Sequence, residues 1–378
     1  MIIKGKKVFS DKGHFESLSI RIEQDKITEV APSILPAPYE ECMDFGSSYI
    51  IPGLIDIHLH GCMKEDFCNG SKEAFDTICE FELHHGITSI SPATMTLSDK
   101  ELTRIFEFFG SYQNTKGSRI LGLTMEGPFI NEEKSGAQNK LFIAPPSPSL
   151  FRKYQNLSNH AILQVAIAPE KDVDYEFIKE LHEEVHISLA HTNASYETAH
   201  KAFLYGADHV THLYNAMPAF SHRNPGVIGA AFDQNEVYVE LIADGLHVDP
   251  SVIRMTYAMF GADRICLISD SMEATGLQAG TYSLGGQEVY VSEKKASLKD
   301  GTLAGSVTPL TECLRKAVLD MNIPLESAVK SCTITPAKSL GLDKKYGSLS
   351  VEKAADLVVL NSDLEIEKVM FKGSFCQR

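Results

Sequence analysis

The feature that most constrains the fold is a repeated pattern along the middle of the chain, in which a short apolar run precedes a helix-like segment. The apolar runs predict strands over Leu54–His60, Ile87–Thr94, Ile120–Glu126, Ile162–Ala168, Val185–His191, His209–His212, Val237–Ala243 and Arg264–Asp270. Helices are predicted between them over Lys72–His85, Lys100–Gly110, Asp174–His182 and Tyr196–Tyr205. Repeated β-then-α units form a parallel sheet, and eight such strands favour a closed (β/α)8 barrel of the TIM type. A doubly wound sheet is the alternative, but no GxGxxG sequence follows a predicted strand to support it.

Both ends of the chain differ from this middle, because they carry short β-like runs such as Leu18–Ile22 and Leu357–Leu360. The total of 378 residues also exceeds the ~250 of a bare barrel, so a further layer is expected. We therefore predict that residues 1–52 and residues 345–378 are the two parts of one small β domain. Residues 53–344 are predicted to form the barrel.

Composition excludes several classes of partner. The 35 Lys and Arg against 50 Asp and Glu give a formal net charge of −15, which argues against a nucleic acid or an anionic membrane surface as the main partner. The eight Cys include no CxxC pair, which is typical of reduced thiols in the cytoplasm. The N-terminal segment lacks the features of a signal peptide, so a cytoplasmic location is expected.

Metal-type ligands follow the predicted strands at their carboxyl ends, where barrel enzymes carry their chemistry. They are His58 and His60 on the first strand, Glu126 on the third, His191 on the fifth, His212 on the sixth and Asp270 on the eighth. Strand side chains alternate with a period of two, so His58 and His60 should face the same way. Each residue alone has an ordinary structural explanation, but their joint occurrence favours a metal site. Imidazole and carboxylate together suit Zn, Fe, Mn or Co, with one or two ions bound.

Several motifs resemble those of known metal-dependent hydrolases. Pro-Gly-Leu-Ile-Asp-Ile-His-Leu-His-Gly at residues 52–61 resembles the opening of the amidohydrolase superfamily, whose members combine a distorted barrel with a split β-sandwich. More specific motifs lie at residues 126–131, 190–192, 211–217, 244–247 and 303–306. Together they resemble the N-acetylglucosamine-6-phosphate deacetylases, in order over nearly the whole chain. This resemblance implies a distorted (β/α)8 barrel with a small β-sandwich formed from both termini.

The resemblance also implies roles for the metal-type residues. Most of the superfamily bridges its metals with a carboxylated lysine on the fourth strand, but residues 162–168 offer no lysine, and Glu126 fits the deacetylase pattern instead. Asp270 would be the general acid/base, which takes a proton from metal-bound water and delivers it to the leaving amine. Some members lack the HxH pair and hold one metal, whereas this chain keeps both His58 and His60.

Substrate contacts are implied in the same way. They are Ala137, Asn215, Ala216, Arg223, His247, Leu303, Ala304 and Gly305, with Asn215, Ala216 and Arg223 on the phosphate. The substrate would be an amino-sugar phosphate, and members are often homodimers in which a neighbouring subunit reaches the phosphate, for which His222 is a candidate. Some relatives carry Ala-His where this chain has Ala137-Gln138, so any role of that imidazole on the oxyanion is in doubt here.

Three alternatives stay open on the sequence. The substrate could be the galactosamine epimer, because no residue pattern fixes the pocket around O4. The same scaffold could instead serve a cyclic-amide hydrolase or a deaminase. A non-catalytic barrel used for assembly is a third class, although degenerate members of such families typically lose ligands that this chain retains.

Overall fold

The computed structural model describes residues 1–293 and 295–377. The strands are β1 (Ile2–Phe9), β2 (Phe15–Glu23), β3 (Lys26–Ala31), β4 (Cys42–Asp44), β5 (Tyr49–Pro52), β6 (Leu54–Asp56), β7 (Gly61–Cys62), β8 (Glu65–Asp66), β9 (Ile87–Ile90), β10 (Arg119–Ile120), β11 (Leu123–Met125), β12 (Ile162–Ile167), β13 (His186–Leu189), β14 (His209–Val210), β15 (Tyr238–Ile242), β16 (Ile265–Ile268), β17 (Gly280–Leu284), β18 (Gln287–Ser292), β19 (Lys295–Ser297), β20 (Leu357–Leu360), β21 (Ile366–Phe371) and β22 (Ser374–Phe375). The α-helices are α1 (Lys72–His84), α2 (Asp99–Ser111), α3 (Pro148–Leu157), α4 (Glu176–Leu181), α5 (Tyr196–Leu204), α6 (Gly226–Phe232), α7 (Pro250–Phe260), α8 (Leu310–Leu319), α9 (Leu325–Ser331) and α10 (Ile334–Ser339). Short 3-10 helices span Phe67–Asn69, Glu132–Lys134, Lys140–Phe142, Pro169–Lys171 and Val173–Tyr175.

Both ends of the chain meet in one eight-stranded sheet. Its order is β22-β21-β20-β5-β1-β2-β3, with β4 also paired to β1. The junction is the antiparallel pair β5–β20, in which Tyr49 lies opposite Leu360 and Pro52 opposite Leu357. Apolar side chains from both ends, including Ile20 and Val359, share one buried cluster. Strands from the two ends of the chain are therefore paired in one sheet.

The parallel strands follow chain order. One set pairs β6, β9 and β10, and a second pairs β11 through β16 in sequence. A parallel bridge between Ala93 and Thr124 joins the two sets. Beyond β6 and β16, the Asp270 amide donates to the His58 carbonyl at 3.0 Å. The segments that follow the first and last of these strands are thus hydrogen-bonded to each other.

The eight predicted strands are all present, but they end earlier than the apolar pattern indicates. β6 ends at Asp56, so His58 and His60 follow the strand rather than lie on it. The prediction that His58 and His60 lie on a strand is therefore wrong, and strand alternation does not set the direction of their side chains. The pattern continues past the strand because Ile57 and Leu59 are buried even though they are outside the ladder.

The four predicted helices correspond to α1, α2, α4 and α5. Three of them begin after a serine whose hydroxyl accepts a backbone hydrogen bond, namely Ser71, Ser98 and Ser195. At α2 the Glu101 side chain completes a capping box. Within the described ranges, no helix has both the length and the apolar character needed to cross a membrane.

An antiparallel sheet of β17, β18 and β19 was not predicted. Its first turn is Gly285-Gly286, with φ of +55° and +78°, which favours glycine at both positions. Leu284 and Val289 from this sheet pack with Met95 and Ala137 in one apolar cluster. This sheet therefore covers one side of the candidate site.

Candidate metal centre and active site

Glu126 lies at the centre of the candidate site, directly after β11. Its Oε1 is 3.1 Å from His191 Nε2 and 3.0 Å from His212 Nε2. On its other side, Oε2 is 3.4 Å from His60 Nε2, and Oε1 is 3.6 Å from His58 Nε2. These residues form two groups that share Glu126, each with its ligand atoms within 4.8 Å of one another. The structure thus brings the predicted ligands together.

Asp270 completes this cluster from the segment after β16. Its Oδ1 is 3.2 Å from His60 Nε2 and 3.7 Å from His58 Nε2. Asp270 and Glu126 are both buried. One carboxylate therefore lies between the histidine pairs, and the other lies beside His58 and His60.

The donor atoms of this cluster fit a bound transition metal. His191 Nδ1 contacts the Lys134 carbonyl at 2.8 Å and His58 Nδ1 contacts Glu240 at 3.2 Å, so each ring is held with Nε2 toward Glu126. His191 Nε2 and His212 Nε2 lie 3.2 Å apart, so both nitrogens are close enough to bind one ion. His58 Nε2 is buried and has no hydrogen-bond partner within the described residues. Imidazole nitrogen with carboxylate oxygen is the set that Zn, Fe, Mn and Co accept.

Glu240, to which the sequence motifs gave no role, contacts a metal-type residue of the site. It is fully buried on β15, where its Oε2 contacts His58 Nδ1 and its Oε1 accepts a 2.6 Å hydrogen bond from Gln164 on β12. Glu240 thus fixes the ring of His58 from behind, as outer partners of metal ligands commonly do. The available signal was a carboxylate in the middle of an apolar strand, Val237-Tyr-Val-Glu-Leu-Ile-Ala243.

Gln138 also acts on Glu126. Its Nε2 donates to Glu126 Oε2 at 2.7 Å, and its Oε1 accepts from the Thr96 amide at 2.6 Å. Gln138 is buried, and both the nitrogen and the oxygen of its side-chain amide are hydrogen-bonded. In this chain the residue therefore orients the central carboxylate.

Four residues of the site have left-handed backbone conformations. His191, His212 and Asp270 have φ of +43°, +31° and +49°, and Ala216 has +52°. Residues with a β-carbon rarely adopt such conformations, and they persist where the surrounding packing enforces them. These conformations turn the ligands out of the strand direction and explain why the strands end before them.

Charge balance keeps the two carboxylates of the cluster ionised. Burial would raise the pKa of Glu126, but the nearby imidazoles of His58, His191 and His212 hold it well below its usual range. Burial would likewise raise the pKa of Asp270, but the hydrogen-bonded His60 lowers it. An ionised carboxylate is the form that can bind a cation or accept a proton.

The comparison with protein families agrees with this geometry. The model described as "Amidohydrolase family" matches residues 49–376. The chain belongs to the amidohydrolase family. This amidohydrolase is 34% identical to N-acetylglucosamine-6-phosphate deacetylase of Bacillus subtilis, with 99% of this chain and 96% of the relative covered. It is also 28% identical to N-acetylgalactosamine-6-phosphate deacetylase of Escherichia coli O157:H7, with 98% of each covered.

Solved structures give the same result. A mutant N-acetyl-D-glucosamine-6-phosphate deacetylase from Mycobacterium smegmatis, in complex with N-acetyl-D-glucosamine-6-phosphate, superposes with a TM-score of 0.93 at 29% identity, covering 99% of this chain and 98% of that one. The N-acetylglucosamine-6-phosphate deacetylase of Pasteurella multocida gives 0.93 at 29% identity, with both chains fully covered. The resemblance inferred from the motifs is confirmed.

A cavity of about 760 Å³ opens over the metal-type residues of this amidohydrolase. Among the predicted substrate contacts, those that line it are Ala137, Asn215, Ala216, His247, Leu303 and Gly305. Arg223 and Ala304 do not line it, and Arg223 is exposed on the loop before α6. His222 is likewise exposed. The cavity also contacts Lys134, Lys140 and the β17–β19 sheet, none of which the sequence reasoning assigned.

His247 is held in place by Asp244. The Asp244 Oδ2 is 2.7 Å from His247 Nδ1, and Asp244 Oδ1 accepts from the His247 amide at 2.9 Å. Burial would lower the pKa of His247, but the bonded Asp244 raises it. The other ring nitrogen, Nε2, is therefore the one left to contact a molecule in the cavity.

A third group of metal-type residues in the amidohydrolase lies at the opposite, amino-terminal ends of β13 and β14. It consists of His186, Asp208 and His209. Both imidazole Nδ1 atoms contact the Asp208 carboxylate directly, at 2.6 and 2.8 Å. These contacts are direct hydrogen bonds, and none of the three residues lines the cavity.

Proposed function

We propose that this chain hydrolyses the N-acetyl group of N-acetylglucosamine 6-phosphate to give glucosamine 6-phosphate and acetate. The observation that carries the proposal is the joint presence of Asp270 and the Glu126–His191–His212 group at one cavity. The full-length relatives that act on this substrate support it.

We assign Glu126, His191 and His212 as ligands of one divalent ion, which is Zn, Fe, Mn or Co. One or two ions would bind in each subunit, and His58, His60 and Asp270 are the residues that would hold a second one. The support is the pair of three-residue groups that meet at Glu126. A bound ion of this kind polarises a carbonyl oxygen and lowers the pKa of water.

The residues of the chain supply binding and proton transfer. Asp270 takes a proton from the water that attacks the acetyl carbonyl, and it then delivers that proton to the departing amine. Its contact with His60 keeps the carboxylate ionised before the first transfer. Asn215 and Ala216 bind the phosphate, while His247 contacts the carbonyl region. Arg223 lies outside the cavity of its own subunit, so it reaches a phosphate only across the proposed homodimer. Ala137 offers its backbone, and Leu303, Ala304 and Gly305 enclose the sugar.

The test is acetate release from N-acetylglucosamine 6-phosphate, measured beside its galactosamine epimer and with elemental analysis of the same sample. Asp270→Asn is expected to retain the ion held by Glu126, His191 and His212 and to lose nearly all turnover, because the amide keeps the shape but cannot accept the proton. Asp263→Asn is the matched control, since Asp263 precedes the same strand at its opposite end and is exposed. Full activity of Asp270→Asn would contradict the acid/base assignment.

We further propose that the parallel strands close into a distorted (β/α)8 barrel over residues 53–344. The small β-sandwich domain would comprise residues 1–52 and 345–378. The Ala93–Thr124 bridge and the bond from Asp270 to His58 support closure of the barrel. A homodimer and a cytoplasmic location complete the proposal, and sedimentation equilibrium of the purified protein tests the dimer.

A further inference from the structure

The cavity needs a cation for the phosphate of the proposed substrate, and Arg223 does not line it. Four carboxylates line it instead, those of Glu126, Glu133, Asp270 and Asp300. Apart from imidazoles, the cations that line it within the described residues are Lys134 and Lys140. Within one subunit, these two ammonium groups are therefore the candidates for a charge pair with a dianionic group.

Lys140 is the weaker of these two candidates. Its side chain is exposed at the rim, and its charge faces the carboxylate of Asp300. Solvent and this opposing charge both reduce what its ammonium can contribute to binding.

Lys134 is half-buried, and its charge is not neutralised. Its Nζ contacts the Met217 carbonyl at 3.5 Å, and no ion pair of Lys134 is found within the described ranges. The adjacent carboxylates are engaged elsewhere, Glu132 with Lys171 at 2.6 Å and Glu133 with Asn193 at 2.9 Å. A half-buried ammonium with one weak contact retains most of its capacity to bind an anion.

The position of Lys134 links the phosphate loop to the metal-type residues. Met217, beside its ammonium, directly follows Asn215 and Ala216, which line the cavity. The backbone carbonyl of Lys134 accepts from His191 Nδ1 at 2.8 Å. One residue therefore touches the predicted phosphate loop through its side chain and a predicted metal ligand through its backbone.

We propose that Lys134 is the phosphate-recognising cation supplied by the same subunit that carries the metal-type residues. Its ammonium pairs with the 6-phosphate beside Asn215 and Ala216. This inference rests on the proposed function, because it names the residue that selects phosphorylated over unphosphorylated sugar.

The variants are Lys134→Met, which keeps the length of the side chain without its charge, and Lys134→Arg, which keeps the charge. Lys134→Met is expected to raise the KM for N-acetylglucosamine 6-phosphate about 10- to 100-fold, the range for one charge-assisted hydrogen bond. Its kcat/KM for unphosphorylated N-acetylglucosamine and its metal content should match the wild type. Lys134→Arg should recover most of the KM, and Lys140→Met should change it less than Lys134→Met does.

Equal losses on both substrates, or loss of metal, would overturn the inference and assign Lys134 a structural role through His191. An unchanged KM for the phosphorylated sugar in Lys134→Met would overturn it as well. Titration with inorganic phosphate by calorimetry separates this inference from the function proposal. A wild type without deacetylase activity would refute the function alone, and phosphate binding that is equal in wild type and Lys134→Met would refute the anion site.

Discussion

At the scale of single residues, Gln138 shows that the site depends on side chains that hydrogen-bond to the metal-type residues, as well as on the metal-type residues themselves. Its amide nitrogen holds Glu126 Oε2 at 2.7 Å, which leaves Oε1 facing His191 and His212. From the motif resemblance to some relatives, an imidazole that stabilises the oxyanion would be expected at this position, and glutamine cannot carry the charge of that imidazole. The structure gives the glutamine a different task, the orientation of a carboxylate.

Gln138→Ala is therefore expected to weaken metal binding about 10- to 100-fold, the usual cost of removing an outer partner of a metal site. Two buried groups, the Thr96 amide and Glu126 Oε2, would lose their hydrogen bonds. Competition with a chelator of known affinity measures the change. Gln138→His serves as the comparison, since its ring can still donate to Glu126, and an unchanged affinity in Gln138→Ala would refute the orienting role.

The six metal-type residues were predictable because each follows an apolar run that marks a strand. Glu240 and Gln164 were not, because their role arises only from long-range contacts. The bond between Gln164 and Glu240 spans 76 residues, and that between His58 and Glu240 spans 182. Sequence periodicity reports burial and local structure, whereas it carries no information on which distant strand is adjacent.

At the scale of elements, the apolar pattern located the strands but not their ends. Ile57 and Leu59 stay buried after β6 ends, so hydropathy continues where the hydrogen-bond ladder stops. The β17–β18 hairpin was missed although its signal is present, since Gly285-Gly286 lies between apolar residues in alternation. The Gly-Gly turn therefore indicates this hairpin more directly than the alternation of strands and helices does.

The link between the terminal sheet and the parallel strands is testable at Asp356. This buried carboxylate accepts from Arg119 at 2.8 Å and from the Lys372 amide at 2.8 Å. Asp356→Ala removes both hydrogen bonds and leaves Arg119 with its contact to the Ser89 hydroxyl, and we expect it to cost about 2–4 kcal/mol of unfolding free energy. Urea unfolding followed by circular dichroism measures this. Asp11→Ala, at an exposed turn, is the control, and equal midpoints for the two variants would show that the link contributes nothing.

At the scale of the whole molecule, a net charge of −15 coexists with sites for cations and for an anion. The carboxylates that matter for the cations are concentrated around Glu126 and Asp270. The proposed anion site is local, next to Lys134, while the overall charge still disfavours polyanions. Net charge therefore excludes classes of partner, but it does not describe the cavity.

Removal of the metal is the prediction that belongs to this scale, because an ion that binds only the folded chain stabilises all of it. At a free concentration of one hundred times its Kd, the ion adds about 2.7 kcal/mol, which for a chain of this length raises the Tm by about 3 °C. Dialysis against a chelator should lower the Tm by at least this amount, and added Zn should restore it. Circular dichroism is the suitable measurement, since the sequence contains no Trp.

Two histidine variants decide where that stabilising ion binds. His191→Ala removes a ligand from the group of Glu126, His191 and His212, so its Tm should respond less to the chelator than that of the wild type. His186→Ala alters the separate group with Asp208 and His209 and should keep the full response, because that group is closed by direct hydrogen bonds. The opposite result, with the response lost only in His186→Ala, would move the ion to the amino-terminal ends of β13 and β14. The metal would then lie on the side of the parallel strands away from Asp270, and the proposed chemistry could not operate.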